Sequence, residues 1–450
     1  MLTKLLLAVS LGLAMNAHAK TDDLMTLYER ALEASPELQG SEYALEIAKA
    51  REDQSFGRLR PQINAVGNYS LNRIEYDEPD ALRGRDNSSY PGTRVSINLQ
   101  QTIFDLQNYL LAKSQQSLSS QGEEELLAAH QKLIADLIER YMDALEATDK
   151  SEIIKEELSS TEKQLERVRA MHERQMAMVT DLYELEARTE TLRSNLLESD
   201  NEAKIALEKL RELTGDAVTE IRPARLDVMQ PPPDGDIEGW VRQIGQINPE
   251  VIALKHAVEA AKQSISAYQA GHLPTLQLQL SGIYSDTTFN NQTASTGYQI
   301  GSAAIQATIP IYEGGVTSAR VREAEARKKY SESQLEQKLR ELEKFTRAAY
   351  LDMASSSARA LAADRQLAAS EKSRDAMNKG YELGVSTIVD VLEAEKQLSE
   401  AKKQQRLTRY KYFRARSALY QQTGRLIGYE LVQFNRWLIP IASNNDVNKK

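Results

Sequence analysis

Four stretches of the chain alternate apolar and polar residues, and the long stretches between them do not. Residues 63–72 place Ile63, Ala65, Gly67, Tyr69 and Leu71 on one side, with Asn64, Asn68, Ser70 and Asn72 on the other. Val95, Ile97, Leu99 and Ile103 alternate with Arg94, Ser96, Asn98, Gln100 and Thr102. Leu276, Leu278, Leu280 and Tyr284 alternate with Gln277, Gln279, Ser281 and Ser285. A fourth run, residues 298–311, alternates less cleanly, because its apolar parity changes near Ser302. A period of two predicts strands with one apolar and one polar face. The remainder predicts helix: residues 108–174 hold no Pro and one Gly, and residues 316–379 hold neither. At 1.5 Å per residue, about 65 residues make roughly 100 Å of helix. Such a helix needs neighbours along its length, as in a coiled coil or a helical tube.

The order helix, strand, strand, long helical stretch occurs twice. Residues 27–71 read as helix, then Leu59-Arg60-Pro61, then alternation; residues 240–284 read the same way with Leu273-Pro274 at the junction. Pro36-Glu37 matches Pro249-Glu250, and Thr102-Ile103-Phe104-Asp105 matches Pro310-Ile311-Tyr312-Glu313. Asp181, Glu184 and Glu186 match Asp390, Glu393 and Glu395, and Leu213-Thr214-Gly215 matches Gln422-Thr423-Gly424. The chain therefore divides into a first repeat (residues 20–222), a proline-rich linker (223–236), a second repeat (237–424) and a C-terminal tail (425–450). Pro231-Pro232-Pro233 in the linker interrupts helix and ladder alike.

Residues 1–19 read as a secretion signal, with Lys4, an apolar run over residues 5–14, and Ala17-His18-Ala19 as the cleavage site. The apolar run is too short to anchor the chain in a membrane, and no later stretch is long and apolar enough to cross one as a helix. With 0 Cys, the exported chain carries neither disulfides nor a lipidated start. Charged residues at 27% and aromatics at only 6% suit long helices better than a globule. A net charge of −9 gives no basic footprint for nucleic acid. The histidines are scattered, H-E-x-x-H and the phosphate-binding G-x-x-x-x-G-K-[ST] do not occur, and Gly314-Gly315 reads as a strand-to-helix break. The chain is thus expected to be no enzyme and to need no cofactor, so energy for any transport comes from a partner.

Four strands of about ten residues, apolar on one face and polar on the other, have the length of transmembrane barrel strands. Four cannot close a wall, and an open edge in lipid leaves backbone groups unpaired at about several kcal/mol each. Two copies give eight strands and a filled interior; three give twelve and a lumen, so a cyclic homotrimer is expected. Tyr69, Tyr76, Tyr90, Phe104, Tyr284, Phe289, Tyr298 and Tyr312 cluster near strand ends, where membrane-interface girdles lie. The competing expectation, a soluble periplasmic coiled-coil adaptor or scaffold, has no use for four alternating runs in two symmetric pairs.

Ala34-Ser35-Pro36-Glu37-Leu38, Leu59-Arg60-Pro61-Gln62, Ile309-Pro310-Ile311-Tyr312-Glu313-Gly314-Gly315, and the run from Gly384-Val385-Ser386-Thr387 to Asp390-Val391-Leu392-Glu393-Ala394 together resemble the TolC family of outer-membrane efflux and type I secretion channels. The resemblance implies a mainly α subunit with a transmembrane β portion: four strands closing as a twelve-stranded barrel in a homotrimer, on a long-helix barrel that extends into the periplasm. It implies an exit duct of a tripartite system, with a periplasmic adaptor and an inner-membrane pump (ABC-type or proton-driven) as partners, set in outer-membrane lipid. It also implies a constriction ring at Asp390 and Glu393, a gate tyrosine at Tyr381, and gate partners at Thr180 and Asp181. Where the best-studied members carry an arginine facing those partners, this chain has Ser386, so its closed state must rest on other contacts.

Overall fold

The computed structural model describes residues 21–75, 77, 88–225, 231–287 and 297–439. The expected signal (1–19), Tyr76, Phe289, part of the linker (226–230) and the end of the tail (440–450) lie outside them. Helices α1 (Leu24–Ala34) and α2 (Pro36–Gly57) lead to strands β1 (Gln62–Ile74) and β2 (Ser88–Phe104), then to helices α3 (Leu106–Glu173) and α4 (Val179–Thr214). The same series returns as α5 (Ile237–Ile247), α6 (Pro249–Ala270), β3 (Thr275–Thr287), β4 (Tyr298–Thr308), α7 (Val316–Glu382) and α8 (Ile388–Gln422), before a short α9 (Gly428–Asn435). Helices α3 and α7 run for 68 and 67 residues. Gly314 and Gly315, both at positive φ (63° and 83°), make the break ahead of α7, a conformation that costs a side-chain-bearing residue about 1–2 kcal/mol.

Two compact units divide the chain: residues 39–128 with 245–341, and Met1–Leu38 with residues 129–244 and 342–450. Each therefore draws on both copies of the element series.

The first of these units holds the sheet, antiparallel throughout in the order β1-β2-β3-β4. Ile63 faces Leu99, Leu99 faces Leu280, and Leu280 faces Ala303. The next row is Ala65, Ile97, Gly282 and Gly301, and the one after it Gly67, Val95, Tyr284 and Gln299. One face is thus mainly apolar across all four strands, with Gln299 and Gln101 as exceptions among these rows and their neighbour. The opposite face carries amides and hydroxyls joined across strands: Gln100 to Gln277 and Gln279 to Gln306 at 2.8 Å each, and Ser281 to Ser302 at 2.7 Å. Two details depart from simple alternation. A bulge between Thr102 and Phe104 takes Ile103 out of the ladder and returns Phe104 to the apolar face opposite Leu276, because an extra residue reverses parity. In β4 the register runs unbroken, so Ala303, Ile305 and Ala307 keep the apolar face while Tyr298 and Ile300 turn to the polar one.

The other unit holds the main core, in which Leu24 and Leu27 of α1, Leu137, Ile138, Met142 and Leu145 of α3, Leu210 of α4 and Phe413 of α8 are buried. The tail contributes to it. Leu431, Phe434 and Leu438 are buried, and Trp437 stacks on Phe413 at 4.7 Å. The linker pairs as well: Ala224 bridges Leu438 antiparallel and Ile439 N donates to Pro223 O at 2.9 Å, while just ahead of it Ile221 bridges Asp22 in parallel. Proline lacks a donor but its carbonyl still accepts, so the linker is not excluded from ladders as its composition suggests. Tyr141, fully buried on α3, donates its hydroxyl to Arg222 O at 2.8 Å and ties this three-part junction to the long helix.

Candidate functional site: the hairpin tips and the membrane face

Two helical hairpins end in short turns, α3 into α4 and α7 into α8. The α7–α8 turn is closed by Val385 N on Gly380 O at 2.8 Å, with Gly384 at φ 76°. Helix α8 then starts with a capping box. Thr387 Oγ1 accepts from Asp390 N at 3.3 Å, and Thr387 N and its hydroxyl donate to Asp390 Oδ2 at 2.8 and 2.7 Å. Those two donors hold the Asp390 carboxyl below the usual carboxylate range. The equivalent turn of the first repeat lacks this cap. Met178 stands where α8 has Thr387, so α4 begins without a side-chain cap. Asp181, the counterpart of Asp390, is thereby left free of a capping bond, and its Oδ2 accepts instead from the Tyr381 hydroxyl at 3.4 Å. Burial, and then the adjacent Asp181 charge, push the Tyr381 hydroxyl above its ordinary pKa. It remains a donor throughout the neutral range.

Tyr381 and Asp181 are therefore brought together, whereas Ser386 turns away: its hydroxyl lies 3.9 Å from Met377 Sδ. Thr180 is exposed beside Asp181. Glu393 is exposed on α8, with Gln397 at 3.2 Å and Lys396 at 3.9 Å. The stronger contact at the tips is one that sequence motifs did not single out. Val168 of α3, Leu185 of α4, and Ile388, Val391 and Leu392 of α8 form a separate buried cluster, with Leu165, Ala177, Leu182 and Tyr381 packed around it. Leu185 is 0% and Val391 1% exposed. Each hairpin supplies part of this cluster, so it fastens one to the other. The signal lay in the repeat itself: Leu182 and Val391 fall at matching places, one residue after the matched aspartates.

An exposed ion pair, Arg167 of α3 with Glu382 of α7 at 3.2 Å, also joins the hairpins at the tip, and farther along α8 the link becomes mainly ionic. Lys402 reaches Glu156 at 2.7 Å, Arg406 reaches Asp149 at 2.5 Å, and Arg414 reaches Asp143 at 2.5 Å and Glu146 at 3.0 Å. Buried Glu395, which accepts from Ser160 of α3 at 3.4 Å and pairs with Arg374 of α7 at 3.5 Å, marks the change from apolar to charged contact.

The aromatics of the sheet fall in two places on its apolar face. Phe104 pairs with Leu276 at the helix-proximal end, and Tyr284 lies eight positions along β3 from Leu276. At about 3.4 Å per residue this is roughly 27 Å along the strand, with Tyr69 one row farther. A strand tilt of about 40° reduces these spans to roughly 21–26 Å, the height of the apolar band of transmembrane barrels. Tyr298 pairs with Ser285 on the polar face, and Tyr312, 86% exposed, follows the last strand. Neither joins the two apolar-face positions.

Among the described residues no helix is long and apolar enough to cross a membrane, and no group of His, Cys, Asp and Glu could hold a metal ion. A family profile described as outer membrane efflux protein matches residues 27–216 and 240–425, most of the chain and once for each series of elements. The chain belongs to the outer membrane efflux protein family. This efflux protein is similar to the outer membrane protein TolC of Escherichia coli K12, with 24% identity over 99% of this chain and 91% of that one. It is also similar to the alkaline protease secretion protein AprF of Pseudomonas aeruginosa, at 27% identity over 87% and 82%. The crystal structure of the CmeC outer membrane channel of Campylobacter jejuni shares its fold, with a TM-score of 0.77 at 16% identity, covering 92% of this chain and 90% of that one. The efflux protein is a channel of the outer membrane that extends into the periplasm, and it is not an enzyme.

Proposed function

We propose that three copies of the chain assemble into one passive duct whose periplasmic end is held shut at the hairpin tips. The observation that carries this reading is the open sheet. Strands β1 and β4 each pair on one side only, while rows such as Ile63, Leu99, Leu280 and Ala303 carry the apolar face from one to the other. In lipid those free edges require partners, and β4 of one copy meeting β1 of the next supplies them. Leu197 and Ile205 on α4 and Leu351 and Leu361 on α7 are more than half exposed. A neighbouring copy along the long helices would cover these faces.

In this reading residues 20–222 and 237–424 are two copies of one unit joined by residues 223–236, and residues 1–19 are removed on export. Asp390 and Glu393 of three chains form a negatively charged constriction. A periplasmic adaptor docks on the tips and parts the α7–α8 hairpin from the α3–α4 hairpin, and an inner-membrane pump supplies the energy. With no ionic partner at Ser386, the closed state rests on the apolar cluster, with the Tyr381–Asp181 hydrogen bond and the exposed Arg167–Glu382 ion pair as minor additions. A soluble adaptor or scaffold has no account for the apolar sheet face.

The test is fractionation with electrophysiology. Detergent-resistant trimers in the outer membrane that conduct ions in a planar bilayer are expected. A monomeric, non-conducting protein in the soluble periplasmic fraction refutes the proposal. The gate has its own test. Cysteines introduced at Asp181 and Tyr381 and bridged by a bis-maleimide (the tyrosine-length gap exceeds disulfide reach) should stop export. Unchanged export under complete bridging refutes the opening motion.

A further inference from the structure

The polar face of the sheet carries one row that breaks its character. Val66 of β1, Ser96 of β2, Ile283 of β3 and Ile300 of β4 lie side by side in register. Three of the four are aliphatic, and Val66 and Ile300 are 55% and 50% exposed. The rows on one side are amide and hydroxyl but for one methyl: Asn64, Asn98, Ser281 and Ser302, then Gln62, Gln100, Gln279 and Ala304. The adjoining row on the other side is Asn68, Arg94, Ser285 and Tyr298. Arg94 is the one cation on the polar face of the described strands, apart from the end residues, and it has no carboxylate partner among the described residues. Ser285, between Arg94 and Tyr298, is only 6% exposed although it lies on an open face.

Adjacent strands lie about 4.8 Å apart and alternate residues about 7 Å. The aliphatic row is therefore roughly 14 Å across, with a guanidinium and a phenol about 7 Å from it. Water-lined walls do not need an aliphatic row, and strand propensity alone would not place three at one level beside a single unpaired cation. We infer that this band is a cargo-contact subsite of the lumen, selective for amphiphilic anions: an apolar body lies on Val66, Ile283 and Ile300 while its negative head meets Arg94. The inference rests on the reading that the polar face lines the lumen of a closed barrel, in which three such patches form one ring. Charge complementarity chooses the sign of the occupant. A neutral or cationic amphiphile gains the apolar contact but not the ionic one.

Because the chain has 0 Cys, Ser96→Cys gives one labelling position inside the row. The full-length protein, labelled there with a small polarity-sensitive fluorophore and placed in lipid nanodiscs, is titrated below the micellar range with octyl sulfate and, separately, with octyltrimethylammonium. A saturable blue shift at about fivefold lower octyl sulfate concentration is expected, the size of one exposed charge-assisted contact. Arg94→Gln should remove that preference and leave the apolar response. Ile283→Thr with Ile300→Thr, which keeps β-branching and so the strands, should weaken both titrations about fivefold or more. Equal responses to the two probes in the parent protein, or a preference that survives Arg94→Gln, overturn the inference. Conductance of the same preparations separates the two levels. A conducting channel without the preference refutes the subsite alone, and a non-conducting one refutes the channel reading and the subsite together.

Discussion

Replacing Leu185 with alanine tests what holds the tips together. Leu185 is fully buried among Val168 of its own hairpin and Ile388, Val391 and Leu392 of the other. Leucine-to-alanine changes in packed sites cost about 2–5 kcal/mol. The cluster is small and lies at a turn, so about 2 kcal/mol, the low end, is appropriate. If the contact exists only when the hairpins are together, that loss shifts the closed–open equilibrium toward open by about thirtyfold. Tyr381→Phe removes one hydrogen bond at 3.4 Å. A bond that long lies at the weak end of the 0.5–1.5 kcal/mol range, so a shift of no more than about fivefold is expected. The assay is open probability in planar bilayers at about 0.1 M and about 1 M salt, since salt screens ionic links and leaves apolar ones intact. Leu185→Ala and Val391→Ala should each open the channel at both salt concentrations. They should also couple in a double-mutant cycle, because they touch the same cluster across the two hairpins. If Tyr381→Phe or Asp181→Asn opens the channel more than Leu185→Ala does, or if high salt alone opens the parent protein, the apolar-latch argument fails.

Three further outcomes follow from the same geometry. Asp390 both caps α8 and contributes charge, so Asp390→Asn with Glu393→Gln, which keeps an acceptor for Thr387, should lower cation preference without fraying the helix; unchanged reversal potentials in a salt gradient would place the filter elsewhere. Thr387's donors lower the Asp390 pKa, so the cap is present above the unfolded carboxylate's pKa and is lost only as the pH falls through the lower folded value. Cation preference should therefore persist to about pH 4.5, and its loss between neutrality and about pH 5 would show that repulsion among three carboxylates outweighs the cap. Tyr141→Phe removes the donor to Arg222 O inside a sealed core, which should cost about 1–2 kcal/mol and lower the thermal midpoint; no change would mean the linker junction does not depend on that bond.

Much of this molecule is written locally in its sequence. A period of two placed four strands, and the absence of proline and glycine over residues 316–379 gave α7 its length, because each depends only on near neighbours. The matched aspartates and glutamates fall just after the two hairpin turns of the fold. Family resemblance named Tyr381 and Asp181 as gate residues, and the fold sets Tyr381 Oη 3.4 Å from Asp181 Oδ2. Other features needed the third dimension. One bulged residue returned Phe104 to the apolar face, and an unbroken register in β4 moved Tyr298 off it; parity along a strand is set by pairing with the next strand, which composition does not encode. The tail and linker look like connectors in sequence, yet they pack and pair, because the groups that receive them come from α3 and α8, far away in the chain. The tip cluster assembles aliphatic residues from positions 168, 185 and 388–392, each unremarkable among its own neighbours. Periodicity determines which side of an element is apolar; only packing decides which of those sides meet, and at the tips that buried meeting outweighs the one exposed ion pair beside it, Arg167 with Glu382.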